Sequence, residues 1–198
     1  MSFVLELEGG PATPMGFWTS TVAAHIKYTN RPDLALVVSQ MDCTATAVYT
    51  KNQVVAAPVI VNRETLSGNN TRIRAIVANA GNANACTGQP GLDNARAMQQ
   101  IATSSLGCAS NQVLLLSTGV IGVQLPMEEV RAGIEMATTQ LQRKKTEGTN
   151  DGGVDAARAI MTTDTIPKHL AVKVELPDGR VTIGGMAKGA GMIHPNMA

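Results

Sequence analysis

The chain has 198 residues, of which 44% are hydrophobic and 16% are charged, and its formal net charge is +1. That balance is typical of a globular protein with one sizeable core, and it excludes a disordered chain. The near equality of 16 basic and 15 acidic residues, together with the absence of any apolar run near the ~18 residues of a membrane span, argues against nucleic acid and membranes as partners.

The first half of the chain contains mainly strand patterns. Residues 16–27 are expected to start a strand, and residues 33–39 and 44–50 predict two consecutive strands joined by a polar turn at residues 40–43. Residues 57–66 fit either a strand or a short helix. The continuous apolar run at residues 74–80 predicts a buried strand.

The second half alternates between helical and strand patterns. Apolar side chains at helical spacing predict a helix over residues 91–106 with Gly107 as its C-cap. Residues 112–117 predict another buried strand. Pro126 and the two glutamates after it open a helix over residues 126–141, and a shorter helix is expected within residues 152–161. Residues 170–176 and 180–186 flank Pro177-Asp178-Gly179 and predict a β-hairpin.

This order of elements predicts a mixed α/β (α+β) fold with a layered arrangement of sheet and helices. The sequence contains no internal repeat and no clear domain boundary, so a single domain over residues 1–198 is expected. Residues 148–153 are the best candidate for a flexible joint.

The three cysteines, Cys43, Cys86 and Cys108, have neither metal-type nor paired spacing. An odd number of cysteines without a secretory signal predicts reduced thiols in a reducing compartment. The first ten residues also lack the basic region of a signal peptide and the arginines of a transit peptide, so a cytoplasmic location is expected. No metal site is predicted.

The most specific local motif is LLLSTGVIG at residues 114–122, in which a buried strand runs into Thr118 and Gly119. A strand that ends in Thr-Gly places a hydroxyl and an unhindered backbone N–H at a sheet edge. Two such donors can stabilise an oxyanion. A simple turn at the end of a strand is the other interpretation of this motif.

A second motif, NAGNANACTG at residues 79–88, is rich in residues that tolerate left-handed backbone conformations. It predicts a tight, specifically shaped loop after a strand. Its Cys86 has no candidate base nearby, so it is interpreted as a small buried filler and not as a nucleophile.

The third motif, IMTTDTIPKH at residues 160–169, brings Thr162 and neighbouring hydroxyls, with Asp164, to the end of a helix. These groups either cap the helix or bind a polar substrate. The histidines lack the spacing of a metal site or a catalytic triad and are interpreted as structural or surface residues; they are His25, His169 and His194.

The final motif is KGAGMIHPNMA at residues 188–198. Lys188 either binds an anionic group or is an ordinary exposed lysine. The surrounding glycines favour a segment that passes through a crowded site; they are Gly184, Gly185, Gly189 and Gly191.

These motifs occur together, and in this order, in one known family. The chain resembles the ornithine acetyltransferases, the bifunctional glutamate N-acetyltransferases of arginine biosynthesis. The matching stretches are GNANACTG (81–88), STGVIG (117–122), AIMTTDT (159–165) and GGMAKGAGMIHPNMA (184–198). The resemblance covers all but about the first dozen residues.

The resemblance implies that the chain is the α chain of a precursor that cleaves itself after Ala198. The β chain would then begin with the nucleophilic threonine, and the two chains would form an α2β2 heterotetramer. By the same resemblance, Thr118 and Gly119 form the oxyanion hole, and Thr162 and Lys188 contact the substrate.

The implied reaction moves an acetyl group from N2-acetyl-ornithine to glutamate through an acetylated threonine, with ping-pong kinetics. No cofactor is required, although some members of the family also accept acetyl-CoA. Three alternatives remain: a self-cleaving N-terminal-nucleophile amidase or aminopeptidase, an acetyltransferase of the same family in secondary metabolism, and a stand-alone binding module without catalytic activity.

Overall fold

The computed structural model describes residues 3–6 and 8–190. The described residues contain seven strands and four helices. In chain order they are β1 (Phe3–Glu6), β2 (Phe17–Val22), β3 (Leu34–Cys43), α1 (Ala57–Gly68), β4 (Ile73–Asn82), α2 (Gly88–Leu106), β5 (Val113–Val120), α3 (Met127–Glu147), α4 (Val154–Ala159), β6 (Lys168–Leu176) and β7 (Gly179–Ala187).

The strands form two sheets. The larger sheet has the order β2-β3-β4-β5, in which β4 and β5 are parallel and the other pairs are antiparallel. A parallel pair needs a long crossover connection, and α2 provides it between β4 and β5. The smaller sheet has the order β1-β6-β7 and is antiparallel throughout, so β6 and β7 form the predicted hairpin.

The main core lies between the larger sheet and the three long helices α1, α2 and α3. Its largest fully buried side chains are aliphatic or methionine; they include Leu34, Leu36, Met98, Leu115, Ile134 and Leu141. Burying one such side chain is worth about 1.5–3 kcal/mol. This packing holds the larger sheet, and β5 at its edge, against the helices.

The opposite face of the larger sheet is covered only in part by the described residues. There α4 packs on β2 and β3 through a small second core of mostly alanines, which Met186 of β7 also contacts. Short alanine side chains allow α4 to approach the sheet closely. Leu116 on β5 remains 48% exposed, and Ile183 on β7 is 58% exposed.

One predicted strand is wrong. β3 continues to Cys43 through the predicted turn, and residues 44–50 form no strand apart from a single bridge residue at Thr50. Residues 44–50 cannot pair with β3 as a neighbouring strand because both edges of β3 are already paired, with β2 on one side and β4 on the other.

The other predicted elements are confirmed, with shifted ends, except that β5 is an edge strand with Leu116 48% exposed and not the buried strand predicted at residues 112–117. The ambiguous stretch at residues 57–66 is helical, within α1. α2 ends as predicted at Gly107, which adopts the left-handed conformation with φ 68°. α3 follows Pro126 and extends to Glu147, beyond the predicted end.

Residues 150–153 lie against the start of the chain. The Asn150 side chain donates to the backbone oxygens of Ala12 and Phe17 at 3.0 and 3.1 Å, and Ala12 N–H donates to Gly152 O at 3.0 Å. The proposed flexibility of this segment stays a prediction. No helix in the described part of the chain is both long and apolar enough to cross a membrane.

Candidate active site

Thr118 and Gly119 lie near the end of β5, beside the end of β4. Gly119 pairs with Gly81 in the parallel ladder, and both glycines have positive φ values, 140° and 105°. A Cβ atom on Gly119 would overlap the backbone of Gly81. Glycine is therefore required at this position, both for its backbone conformation and for the close approach of the two strands.

The asparagine-rich loop after β4 holds the segment that follows Gly119. Ala83 N–H donates to Val120 O at 2.9 Å, and Gly122 N–H donates to Ala85 O at 2.8 Å. Asn84 is fully buried with φ 46°, a conformation that asparagine tolerates better than most residues. The prediction of a tight, specifically shaped loop is confirmed.

The interpretation of Cys86 as a buried filler is wrong. Its side chain is exposed, and its backbone has φ 55°. The buried side chains of this loop are instead those of Asn82 and Asn84.

Thr162 follows the C-terminal end of α4. The carbonyl of the preceding Met161 accepts a hydrogen bond from the Arg31 guanidinium at 2.8 Å. That guanidinium lies 3.8 Å from the centre of the Tyr28 ring, a cation–π distance. Arg31 thus joins the loop before β3 to the loop that carries Thr162.

The loop before β3 is itself organised by a buried carboxylate. Asp33 is fully buried and accepts hydrogen bonds from the N–H groups of Ala24, Lys27 and Tyr28 at 2.7, 3.2 and 3.4 Å. These contacts fix the backbone that carries Lys27 and Tyr28.

Lys188 follows β7, and its ammonium group is partly buried. Its Nζ donates to Gly189 O at 3.1 Å and lies 3.6 Å from Asp164 Oδ2. Asp164 Oδ1 accepts hydrogen bonds from Lys168 Nζ at 2.9 Å and from Gly189 N–H at 2.6 Å. The carboxylate of Asp164 therefore bridges the loop after α4 and the segment after β7.

The pKa of Asp164 reflects these partners. Burial alone would raise it, since the side chain is only 3% exposed. The hydrogen bond from Lys168, those from two backbone N–H groups and the charge of Lys188 outweigh burial and hold the pKa of the carboxyl well below its ordinary value. Asp164 is thus ionised at neutral pH.

All four residues predicted to act at the site line one cleft of about 420 Å³, termed here the Thr118 cleft. The lining residues include Lys27, Tyr28, Ser117, Thr118, Gly119, Thr162, Thr163, Lys188, Gly189 and Ala190. An adjoining, more apolar cleft of about 440 Å³ opens along the outward face of β5 and shares Thr118 and Lys188 with it. Residues far apart in the sequence thus place hydroxyl, backbone N–H and ammonium donors around one space.

Sequence reasoning missed several residues of this cleft. Lys27 and Tyr28 line it but belong to no motif that pointed to chemistry. Asp164, which contacts Lys188 beside the cleft, was considered as a helix cap or a substrate contact and not as a partner of Lys188. Asp33 is the signal that could have indicated an organised loop at Lys27 and Tyr28, since it follows this basic and aromatic pair by a few residues and its carboxylate accepts from their N–H groups.

The remaining candidates lie elsewhere. His25 is exposed, with φ 62°, and His169 Nδ1 lies 2.8 Å from Gly9 O, so both fit the predicted structural or surface roles. Ala198, Gly191 and His194 lie outside the described residues. The crowding predicted for the glycines is found at Gly184, where a Cβ would overlap Gly10 O, whereas Gly185 has open space around it.

These features define a class of protein: a mixed α/β sandwich whose cleft is lined by hydroxyl and ammonium side chains. Residues 18–198 match the ArgJ family, and the chain belongs to that family.

Individual relatives agree. An arginine biosynthesis bifunctional protein ArgJ from Symbiobacterium thermophilum is 48% identical over 195 residues, which cover 97% of this chain and 46% of that protein. The crystal structure of ArgJ from Bacillus halodurans has a TM-score of 0.88 at 35% identity and covers all of this chain and 98% of that one. Ornithine acetyltransferase from Mycobacterium tuberculosis, solved with ornithine, has a TM-score of 0.88 at 39% identity, with full coverage of both chains.

The chain spans about half the length of the curated relatives it matches. In contrast, the chain covers 98% and 100% of the lengths of the two solved chains.

Proposed function

We propose that this chain supplies one part of the active site of an acetyltransferase that moves the acetyl group of N2-acetyl-ornithine to glutamate. The observation that carries the proposal is the Thr118 cleft. Its lining includes Thr118 and Gly119 together with Thr162 and Lys188. The names of the relatives, an arginine biosynthesis protein and an ornithine acetyltransferase bound to ornithine, fit this reaction.

The proposed chemistry is a two-step acyl transfer. A threonine hydroxyl from outside this chain attacks the acetyl carbonyl carbon, and its proton passes through the α-amino group of the same threonine, with a pKa of about 8, to the leaving amine. The C–N bond breaks, ornithine departs and an acetyl ester remains. The α-amine of glutamate then attacks the ester and regenerates the hydroxyl.

Each step passes through a tetrahedral oxyanion. In this proposal the Thr118 hydroxyl and the Gly119 N–H donate to that oxygen, which contributes about 10²–10³ in rate per donor. Lys188 binds a substrate carboxylate, and the Thr162 hydroxyl provides a further polar contact. No cofactor takes part in either step.

We further propose that the nucleophile begins a second chain, made when the precursor cleaves itself after Ala198. The difference between curated relatives about twice as long as this chain and solved chains of matching length supports division of the precursor in the family. Lys188 to Ala190 line the cleft. Exposed apolar side chains such as Leu116 on β5 and Ile183 on β7 offer contacts for the second chain.

Turnover of the protein expressed from its complete gene tests the reaction. N2-acetyl-ornithine with a labelled acetyl group is supplied with and without glutamate. We expect labelled N-acetyl-glutamate and parallel lines in double-reciprocal plots, as ping-pong kinetics require. Label released only as acetate would favour the amidase or aminopeptidase alternative, and binding without turnover would favour the non-catalytic module.

Intact-mass analysis of the same preparation tests the cleavage. We expect two chains, of which the second begins with threonine, and a solution mass that fits an α2β2 assembly. A single uncleaved chain with full activity would contradict the cleavage. Replacing the acetyl donor by acetyl-CoA tests whether this protein also accepts it. A cytoplasmic location, in primary arginine synthesis and not secondary metabolism, stays a prediction.

A further inference from the structure

We propose that Asp164 is a positioning residue that holds the Lys188 ammonium group at the wall of the Thr118 cleft, so that it can bind the carboxylate of an amino-acid substrate. The inference rests on the proposed function and assigns a role to a side chain that does not touch the substrate. The bridge that Asp164 forms between two segments of the cleft carries it.

The first step is geometric. Asp164 lies in the loop between α4 and β6, and Lys188 and Gly189 follow β7. The Asp164 carboxylate accepts from Gly189 N–H at 2.6 Å and from the N–H of Thr162 at 3.3 Å, and it lies 3.6 Å from Lys188 Nζ. A single side chain therefore sets the distance between the two substrate contacts predicted from the sequence.

The second step concerns the donors of Lys188. An ammonium group has three N–H donors. Within the described residues, one is directed to Gly189 O at 3.1 Å, and Asp164 Oδ2 attracts the ammonium group as an ion pair at 3.6 Å, which is too long for a hydrogen bond. The other donors are available to a ligand in the cleft, while the hydrogen bond and the ion pair hold Nζ in place.

The third step concerns charge. A carboxylate beside Lys188 would neutralise it and weaken its attraction for an anion. Lys168 prevents this, because its Nζ donates to the other oxygen of Asp164 at 2.9 Å. Two ammonium groups around one carboxylate leave a net charge of +1, so Lys188 is held in place while the cluster stays cationic.

Burial indicates that this arrangement is specific. The Asp164 side chain is 3% exposed, against 22% for Lys188 and 42% for Lys168. A carboxylate that is withdrawn from water needs partners that compensate its lost hydration. A Cβ atom on Gly189 would approach Asp164 Oδ1 to 2.5 Å, so the neighbouring backbone is fitted to the carboxylate.

The test compares Asp164→Asn with a matched carboxylate elsewhere. Asp151 also pairs with a lysine, Lys144 at 3.1 Å, and accepts from a backbone N–H, that of Gly153 at 2.9 Å, but neither of these partners lines the cleft. In the protein expressed from its complete gene, Asp164→Asn is expected to raise KM for the substrate whose carboxylate Lys188 binds by at least about 10-fold, with kcat changed less than about 3-fold. Asp151→Asn is expected to change KM less than about 2-fold.

A double-mutant cycle separates positioning from general damage. In a Lys188→Gln background the partner is already lost, so adding Asp164→Asn should change KM by less than about 2-fold. An equal factor in both backgrounds would overturn the inference. So would a lower KM for Asp164→Asn, which is the result expected if the carboxylate only weakened the local positive charge.

A second variant keeps the test decisive if Asp164→Asn does not fold. Gly189→Ala displaces the carboxylate without removing a charge, and its effect on KM should likewise disappear in the Lys188→Gln background. If the unmodified protein transfers no acetyl group, the proposed function is wrong, and this inference, which rests on it, is wrong too. If it transfers acetyl normally and the cycle is additive, only the role of Asp164 fails.

Discussion

Gly119 lies so close to Gly81, across the parallel pair β4 and β5, that β5 has no room for a side chain at this point, whereas a Cβ on Gly81 would meet the side chain of Lys27. Both residues adopt positive φ values, 140° and 105°, and the Asn82 backbone nitrogen would lie 2.5 Å from a Cβ on Gly119. The proposed oxyanion donor is thus held by backbone packing on a sheet whose other face carries the main core.

Gly119→Ala should therefore damage both fold and activity. The new methyl group must occupy a disfavoured backbone region and displace β4, which we expect to lower the free energy of unfolding by at least about 2 kcal/mol. Urea denaturation at a fixed protein concentration measures this. Gly185→Ala is the control: Gly185 has open space around it, so a change below about 0.5 kcal/mol is expected. Equal effects at both positions would contradict the packing argument.

Thr118→Ala should separate chemistry from stability. Removing the hydroxyl deletes one proposed oxyanion donor, so kcat for acetyl transfer should fall by about 10- to 10³-fold, with little change in the unfolding midpoint. Thr139→Ala is the control, because that threonine is exposed on α3 and its hydroxyl donates only within the helix, to Glu135 O at 3.0 Å. Unchanged turnover in Thr118→Ala would remove its hydroxyl from the mechanism.

The positions of the four predicted site residues could be anticipated only through the resemblance. The motif at residues 114–122 indicated an edge with two donors, but no local pattern placed Thr162 or Lys188 beside it. That proximity is set by long-range pairing, in which the hairpin of β6 and β7 and the short α4 bring distant segments to the end of β5. Neither composition nor spacing contains this information.

The fold was predictable wherever the hydrophobic pattern was strong, as in the helical spacing of α2 and α3 and the continuous apolar run of β4. The strand expected at residues 44–50 was wrong because local pattern does not report which edges of β3 are already paired. The role of Asn62 could not be predicted from the sequence either. Asn62 lies in the stretch at residues 57–66 that fitted either a strand or a helix. Its side chain forms hydrogen bonds with the edge strand β5 that a neighbouring strand would otherwise provide.

Asn62 should therefore contribute strongly to stability. Its side chain, in α1, donates to Leu115 O at 2.7 Å and accepts from Leu115 N–H at 2.8 Å, and Leu115 is fully buried. Asn62→Ala leaves two buried backbone groups without partners, so we expect a loss of at least about 2 kcal/mol in the free energy of unfolding. Asn69→Ala removes one surface bond, to Asn111 O at 2.9 Å, and should cost less than about 1 kcal/mol. Similar losses in both variants would show that β5 does not depend on Asn62.

The stability supplied by Asp164 should depend on pH with a defined sign. Its pKa in the folded protein is lowered from the ordinary value of 3.8, so the unfolded chain takes up the proton more readily than the folded one as the pH falls. The contribution is therefore complete above about pH 5 and is lost progressively as the pH falls through and below the ordinary value.

Urea midpoints of the unmodified protein and of Asp164→Asn, measured between pH 7 and pH 3, test this. We expect the unmodified protein to be more stable at pH 7 and the difference to shrink below about pH 4. Asp151→Asn should show a smaller difference of the same sign, because the Asp151 side chain is 37% exposed and its interactions are screened by water. A difference for Asp164→Asn that stays constant over this range would mean that its ionised carboxylate is not what stabilises the cluster around Lys188.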